Sequence, residues 1–243
     1  MNILGIIPAR FAATRFPGKP LVDIKGKPMI QHVYEQSLKA SLQKVVIATD
    51  DESIFSAAKI FGAEVVMTSA NHENGTERCA EVMQQLGSHF DACINIQGDE
   101  PFINPEQINL VATLLQQKAT IATLVKQLSD ADTLNNPNVV KAVINKNQEA
   151  LYFSRYAIPF IRNGNTEDLL QQGKFYKHIG IYGFQKNILH EIVKLPLSFL
   201  EKTESLEQLR WLENGYTIKV AETTFETIAI DTPEDLYKID DNY

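Results

Sequence analysis

Three cations fall within ten residues near the start of the chain: Arg10, Arg15 and Lys19, set among Ala12, Ala13, Thr14, Pro17 and Gly18. They follow a short apolar run, Ile3 to Ile7. A buried strand opening into such a loop delivers positive side chains and free backbone N–H groups to one point. That point is the carboxyl end of a strand, where open α/β sheets bind their ligands. Cations and N–H groups together suit a polyphosphate. The same letters also describe a basic surface loop with a Pro-Gly turn. The loop has neither the G-x-x-x-x-G-K-[ST] spacing of a P-loop nor the G-x-G-x-x-G dinucleotide fingerprint.

Two carboxylates have the placement of metal ligands. Asp99 follows the apolar run DACINIQ in QGDEP, where Gly98 permits close backbone approach; a carboxylate there suits a hard, oxygen-seeking cation. Asp231, in AIDTPEDL, is read as the end of another strand. If both strands lie in one sheet, the pair could share Mg²⁺ with triphosphate oxygens. Asp-Thr-Pro-Glu-Asp is also an ordinary helix start. Arg78 lies in the first turn of a helix, where a cation opposes the helix dipole. That favours pairing with a ligand or with a nearby acid. Arg155 interrupts the apolar, aromatic run LYFSRYAIP. His178 and Tyr182, four apart on a strand, share a face. Glu207 and Gln208 read as a solvated helix face beside the Leu206 and Leu209 stripe. No G-x-S-x-G elbow, H-E-x-x-H or His/Cys cluster is present, which disfavours a covalent hydrolase or a zinc enzyme.

The elements that must hold these residues follow from periodicity. Strands are expected at KVVIATD, AEVVMTS and DACINIQ. Between them lie helices after Pro28, over DESIFSAAKIFG, and from a Thr76 N-cap to Gly87. Asn104-Pro105-Glu106-Gln107 has the letters of a capping box with proline at N1. Residues 1 to about 118 therefore alternate strand and helix, predicting a mostly parallel sheet. The second half is less regular. Strands are expected at ATIATLVKQL, NVVKAVIN, ALYFSRYAIPFIR, FYKHIGIYGFQ and YTIKVAE, a helix over SLEQLRWLENG, and a polar interruption over NGNTEDLLQQGK.

The length, 243 residues, suits one large α/β domain. A net charge of −7 disfavours generic nucleic-acid binding and makes the basic loop stand out as a local anion site. Cys79 and Cys93 are too few for a disulfide framework and lack metal-site spacing. The apolar N-terminal run is short and meets Pro8 and Arg10, and no run approaches about 18 apolar residues. A cytoplasmic protein without membrane insertion is expected.

Seven segments then stand in order: IPARFAATRFPGKPL, NGTER, NIQGDEP, LYFSR, KHIGIYGF, SLEQLR and IDTPEDL. Together they resemble the 3-deoxy-manno-octulosonate cytidylyltransferase (CMP-Kdo synthetase) family across essentially the whole chain. The resemblance implies a three-layer nucleotide-diphosphosugar transferase (Rossmann-like) fold and a homodimer. It implies Mg²⁺-dependent cytidylyl transfer from CTP to Kdo, yielding CMP-Kdo and pyrophosphate for lipopolysaccharide biosynthesis. It implies a nucleotide-binding half over 1–118, a sugar-binding and dimerisation half over about 119–220, and a return to the main sheet over 221–243. By the same resemblance, Arg10, Arg15 and Lys19 bind the triphosphate, and Pro8 and Ala9 lie near the cytosine. Arg78 matches the arginine of G-T-[ED]-R. Asp99 and Asp231 match metal ligands, making Lys19, Arg10, Asp99 and Asp231 the catalytic set. Gln97, Arg155, His178, Tyr182, Glu207 and Gln208 match the sugar-acid pocket. Ala13 departs from a serine common in the family, and the basic segment after LYFSR is thin, with Arg162 its main cation. Glu100, where a subgroup acting on an 8-amino sugar carries glutamine in some members, leans towards Kdo.

Overall fold

Strand β1 (Ile3–Ala9) is apolar throughout because both its faces are covered. Ile3 and Ile7 pack on one side of the sheet, Leu4 and Ile6 on the other. A strand with one wet face would alternate. The computed structural model describes residues 1–12, 16–173, 175–226 and 229–239; Ala13 and Arg15 lie outside the described residues.

After β1 come a short hairpin, β2 (Asp23–Ile24) and β3 (Lys27–Pro28), then α1 (Met29–Ser37), β4 (Lys44–Thr49) and α2 (Glu52–Ile60). Next are β5 (Val65–Met67), α3 (Gly75–Leu86), β6 (Ala92–Asn95) and α4 (Pro105–Gln116). The hairpin was not foreseen. Its turn residues Lys25 and Gly26 both have positive φ, 51° and 85°, as a two-residue type I′ turn requires. The capping box expected at Asn104 and Gln107 forms.

The second half contains β7 (Ile121–Gln127), α5 (Ala131–Asn135), β8 (Lys141–Ile144), β9 (Ala150–Ser154), α6 (Thr166–Gln171) and β10 (Tyr176–Gln185). It continues through α7 (Lys186–Ile192), α8 (Phe199–Glu204), α9 (Gln208–Glu213) and β11 (Ile218–Glu222). The stretch expected to be a polar interruption holds α6. Asn165 Oδ1 accepts from the Glu167 N–H at 3.0 Å, and Leu170 is buried with Leu128, Leu134 and Phe175. One buried leucine is too faint a periodic signal to announce a helix; the tertiary partner decides it.

The central sheet runs β11-β7-β10-β6-β1-β4-β5. Its neighbours are parallel except at β10, which is antiparallel to both β6 and β7. The sheet is thus mixed and mostly parallel. One core lies under α1, α2 and α4, the other under α3, α7 and α9, giving three layers. The pair β8 and β9 extends from the foot of β10.

Candidate active site

A cleft of about 400 Å³ opens where β1 and β6 end, lined among others by Pro8, Ala9, Arg10, Lys19, Arg78, Gln97, Asp99 and Asp231. The nucleotide-side residues singled out in sequence thus meet at the carboxyl edge of the sheet, Arg15 being outside the described residues. Gly98 makes the meeting sterically feasible. A Cβ there would lie 2.7 Å from the Pro8 carbonyl oxygen, inside contact distance, so only glycine lets the turn after β6 rest on the end of β1.

Lys19 joins the two acids. Its Nζ donates to Asp99 Oδ2 at 2.8 Å and to Asp231 Oδ1 at 3.3 Å. Asp231 reaches this point by a route other than the one expected: it does not end a strand. The Ile230 N–H donates to the Asp99 carbonyl at 2.9 Å, docking a loop rather than a strand onto the turn after β6. Thr232 then caps a 3-10 turn, Pro233–Lys238, and Asp235 Oδ2 accepts from the Asp231 and Thr232 N–H groups at 2.9 Å each. Among the described residues this is the main-chain bond that joins the segment to the turn, and Ile230 is buried with Ile24 and Met29. The donor set fits Mg²⁺: two carboxylates face the cleft from separate elements, and such an ion commonly takes one or two carboxylates plus phosphate oxygens and water. Among the described residues no group of three or more His, Cys, Asp or Glu side chains could hold a metal. An ion here would take its remaining ligands from water and substrate oxygens.

Arg78 is buried in α3. It donates to Thr68 Oγ1, and its Nη2 lies 3.4 Å from Asp50 Oδ2. An acid partner thus accounts for the cation in the first helical turn, and the residue still lines the cleft. Thr76 is not the cap of α3. Asn74 Oδ1 accepts from the Glu77 N–H at 2.8 Å, and Glu77 Oε2 accepts from the Glu73 N–H at 2.8 Å. Two capping letters compete here, and the glutamate three residues after Asn74 favours Asn74. The Thr76 hydroxyl instead donates to Glu207 Oε2 at 2.9 Å.

On the α3 face of the sheet, next to the cleft, lies a polar inset. His178 and Tyr182 stand on β10 with ring centroids 5.2 Å apart. A regular strand would separate such residues by about 13 Å. A bulge between Ile179 and Tyr182 closes the gap. The amide of Gln97 holds the bulge by donating to the Gly180 carbonyl at 2.9 Å. His178 Nε2 is 2.9 Å from Thr123 Oγ1, and burial pushes the imidazole down to about 3, so it is neutral. Burial also raises the Tyr182 phenol. Asn95, opposite Tyr182 on β6, is buried. Asn95 Oδ1 and the Tyr182 hydroxyl have no hydrogen-bond partner among the described residues.

Glu207 and Gln208 are not a solvated face. Gln208 is buried and Glu207 half-buried, its carboxyl pushed up to about 7 by burial, against the lowering effect of the Thr76 hydrogen bond. The reason is tertiary. Ser205 takes a left-handed turn (φ 53°) after α8, and α9 then packs Leu209 and Trp211 into the core under α3.

Of the residues expected on the sugar side only Gln97 lines the cleft; His178, Tyr182, Glu207, Gln208 and Arg155 do not. The Arg155 guanidinium donates to the carbonyls of Glu204 (2.9 Å), Pro137 (3.2 Å) and Ser205 (3.4 Å). Buried Lys141 beside it donates to the carbonyls of Asn136, Val139 and Arg155 at 2.9, 2.6 and 2.5 Å. The sequence pattern does not announce Asn95, Thr123 and Lys141, and it marks Thr76 only as a helix cap. A polar letter inside an apolar strand was the available signal for Asn95, Thr123 and Lys141. Glu100 is buried behind Asp99, and its carboxyl is pushed up to about 8 by burial and by the neighbouring carboxylate.

The chain belongs to the cytidylyltransferase family, whose model matches residues 4–225. Within it the chain groups with the 3-deoxy-manno-octulosonate cytidylyltransferases. It is 57% identical over 243 residues to the one from Parabacteroides distasonis, covering 98% of this chain and 96% of that protein. To the one from Bacteroides thetaiotaomicron it is 54% identical over 240 residues, covering 97% and 96%. A solved structure of CMP:2-keto-3-deoxy-manno-octonic acid synthetase complexed with CTP is 40% identical, with a TM-score of 0.90 over 98% of this chain and 96% of that one.

Proposed function

We propose that the protein transfers the cytidylyl group of CTP to Kdo, giving CMP-Kdo and pyrophosphate for lipopolysaccharide biosynthesis. The observation that carries this reading is the placement of an ion triad, Lys19–Asp99–Asp231, directly beside a buried polar inset. One ligand brings phosphates and the other brings hydroxyls. In the reaction, the anomeric oxygen of Kdo forms a bond to the α-phosphorus while the bond from that phosphorus to the β-phosphate oxygen breaks. The hydroxyl proton is lost to solvent. Chemistry of this kind rests on positioning and on electrostatic stabilisation of the departing group.

Pro8 and Ala9 bring main chain to the base. Arg10, Arg15 and Lys19 offset the charge on the β- and γ-phosphates as pyrophosphate leaves, and Arg78 braces that wall. Asp99 and Asp231 would hold Mg²⁺, which, when bound, offsets phosphate charge and makes the attacking hydroxyl more acidic. Gln97, His178, Tyr182, Glu207 and Gln208 orient the sugar acid by hydrogen bonds, with the imidazole neutral. Arg155 holds the loops around that pocket and has the planar fork to meet a carboxylate once it is released from its carbonyls.

The enzyme works in the cytoplasm as a homodimer. The exposed Leu151, Tyr156 and Phe160, on and just after β9, support a second copy as the partner. Among the described residues no helix is long and apolar enough to cross a membrane. The deciding experiment scores pyrophosphate release from CTP with Kdo, its 8-amino analogue and sialic acid, with and without Mg²⁺. Release with Kdo and Mg²⁺ is expected. CTP binding without release from any of the three sugars would overturn the reading in favour of a nucleotide sensor.

A further inference from the structure

The two carboxylates assigned to the metal already share a cation that belongs to the chain. The Lys19 ammonium sits between Asp99 Oδ2 and Asp231 Oδ1, and its side chain is less exposed (14%) than that of either acid (29% and 42%). The backbone beneath it is pinned. Gly18, at φ 72°, donates its N–H to the Phe11 carbonyl at 2.9 Å, and the Leu21 and Val22 N–H groups return to the Gly18 and Lys19 carbonyls. The ammonium can therefore leave the carboxylates by turning its own flexible four-carbon stem while these main-chain bonds stay in place.

We propose that Lys19 is a built-in placeholder for the divalent ion, which keeps the ion out until nucleotide phosphates draw the ammonium away. The inference rests on reading Asp99 and Asp231 as the metal pair. A divalent cation and an ammonium repel each other and compete for the same lone pairs. Without nucleotide, the ion must expel Lys19 from two charge-assisted hydrogen bonds with no comparable partner in return. With a triphosphate in the cleft, the ammonium exchanges carboxylate oxygens for phosphate oxygens at little net cost. Nucleotide and metal thus bind with positive coupling beyond their direct contact, and the coupling is reciprocal. Metal and nucleotide enter together, and Lys19 has one task before binding and another during pyrophosphate departure.

The test measures Mn²⁺ binding by the electron paramagnetic resonance signal of the free ion, on the full chain, with and without a CTP analogue carrying a methylene bridge between its α- and β-phosphates. The wild type should bind Mn²⁺ weakly alone and tightly with the analogue. Lys19→Met should tighten nucleotide-free binding by about 10- to 100-fold, the size of a typical coupling, and Lys19→Gln should do the same. Circular dichroism and Tm verify that at least one variant is folded. Arg10→Met is the control for bulk charge: it removes the same charge from the same cleft, but Arg10 pairs with neither carboxylate among the described residues. It should leave nucleotide-free affinity within about threefold, well short of a coupling effect. Unchanged or weaker nucleotide-free binding in the Lys19 variants overturns the placeholder, and so does an equal gain in Arg10→Met. If Asp99→Asn leaves Mn²⁺ binding with the analogue intact, the metal assignment itself is wrong, and the placeholder falls with it.

Discussion

In the cleft, Lys19, Asp99 and Asp231 meet as an ion triad that is partly open to water. A few residues away, beyond Gln97, the inset holds a neutral imidazole, a raised phenol and a carboxyl pushed up to about 7, all by burial. The two regions share a sheet edge and treat charge in opposite ways. A wall that receives a triphosphate must exchange ionic partners, and partial exposure limits the desolvation cost of doing so. On the proposed function the inset receives the sugar, a task better served by fixed, dry hydrogen-bonding groups, because a buried polar atom left unpaired rejects a ligand lacking the matching hydroxyl. Gln97 sits where the two meet, lining the cleft while its amide holds the bulge that brings His178 to Tyr182.

The comparison breaks most visibly on the cleft side. Asp99→Asn should lower pyrophosphate release by about 1,000-fold or more, in the range of losing a group that stabilises transition-state charge, with Tm nearly unchanged. Activity near wild type would remove Asp99 from the metal pair. Arg155→Ala probes a residue that belongs to neither region in this structure. Losing its bonds to three carbonyls should cost about 2–3 kcal/mol of stability, read from urea unfolding. A large rise in KM for Kdo with stability intact would show instead that the guanidinium leaves its carbonyls for substrate.

The inset's neutrality predicts two opposing pH limbs. His178 titrates near 3 when folded against an ordinary 6.5, so between these values the unfolded chain binds the extra proton and stability falls as pH falls. Glu207 titrates near 7 against 4.5, so the folded chain binds the extra proton and stability falls as pH rises through that window. His178→Gln should flatten the acid limb, by at most about 5 kcal/mol, and Glu207→Gln the other, by at most about 3 kcal/mol, in unfolding series across pH. A smaller effect sharpens the sugar side. Tyr182→Phe removes a buried hydroxyl that has no hydrogen-bond partner within geometric reach among the described residues, so it should raise KM for Kdo by about tenfold and leave stability nearly unchanged. A fall in stability with KM unchanged would make the hydroxyl structural.

What local letters could specify, they specified. The apolar run of β1, the Asn104 capping box and the glycine needed after Gln97 are each set by neighbours within a few residues, and the structure has them where the letters put them. Cap preference failed at Thr76, because two equivalent letters compete and a third residue decides. The burial of Glu207 and Gln208 was invisible, since a helix carrying polar residues off its leucine stripe looks solvated until another helix lies over it. The most consequential arrangement was also the least local. Lys19 and Asp231 are 212 positions apart, and the main-chain bond from Ile230 to Asp99 is among the contacts that bring them together. Sequence alone determined which chemical groups the chain carries and, for β1 and the turn after β6, which strand ends bear them. Only the tertiary structure decided which of those groups share one cation and which lose their charge, because burial and Coulomb attraction depend on distances through space.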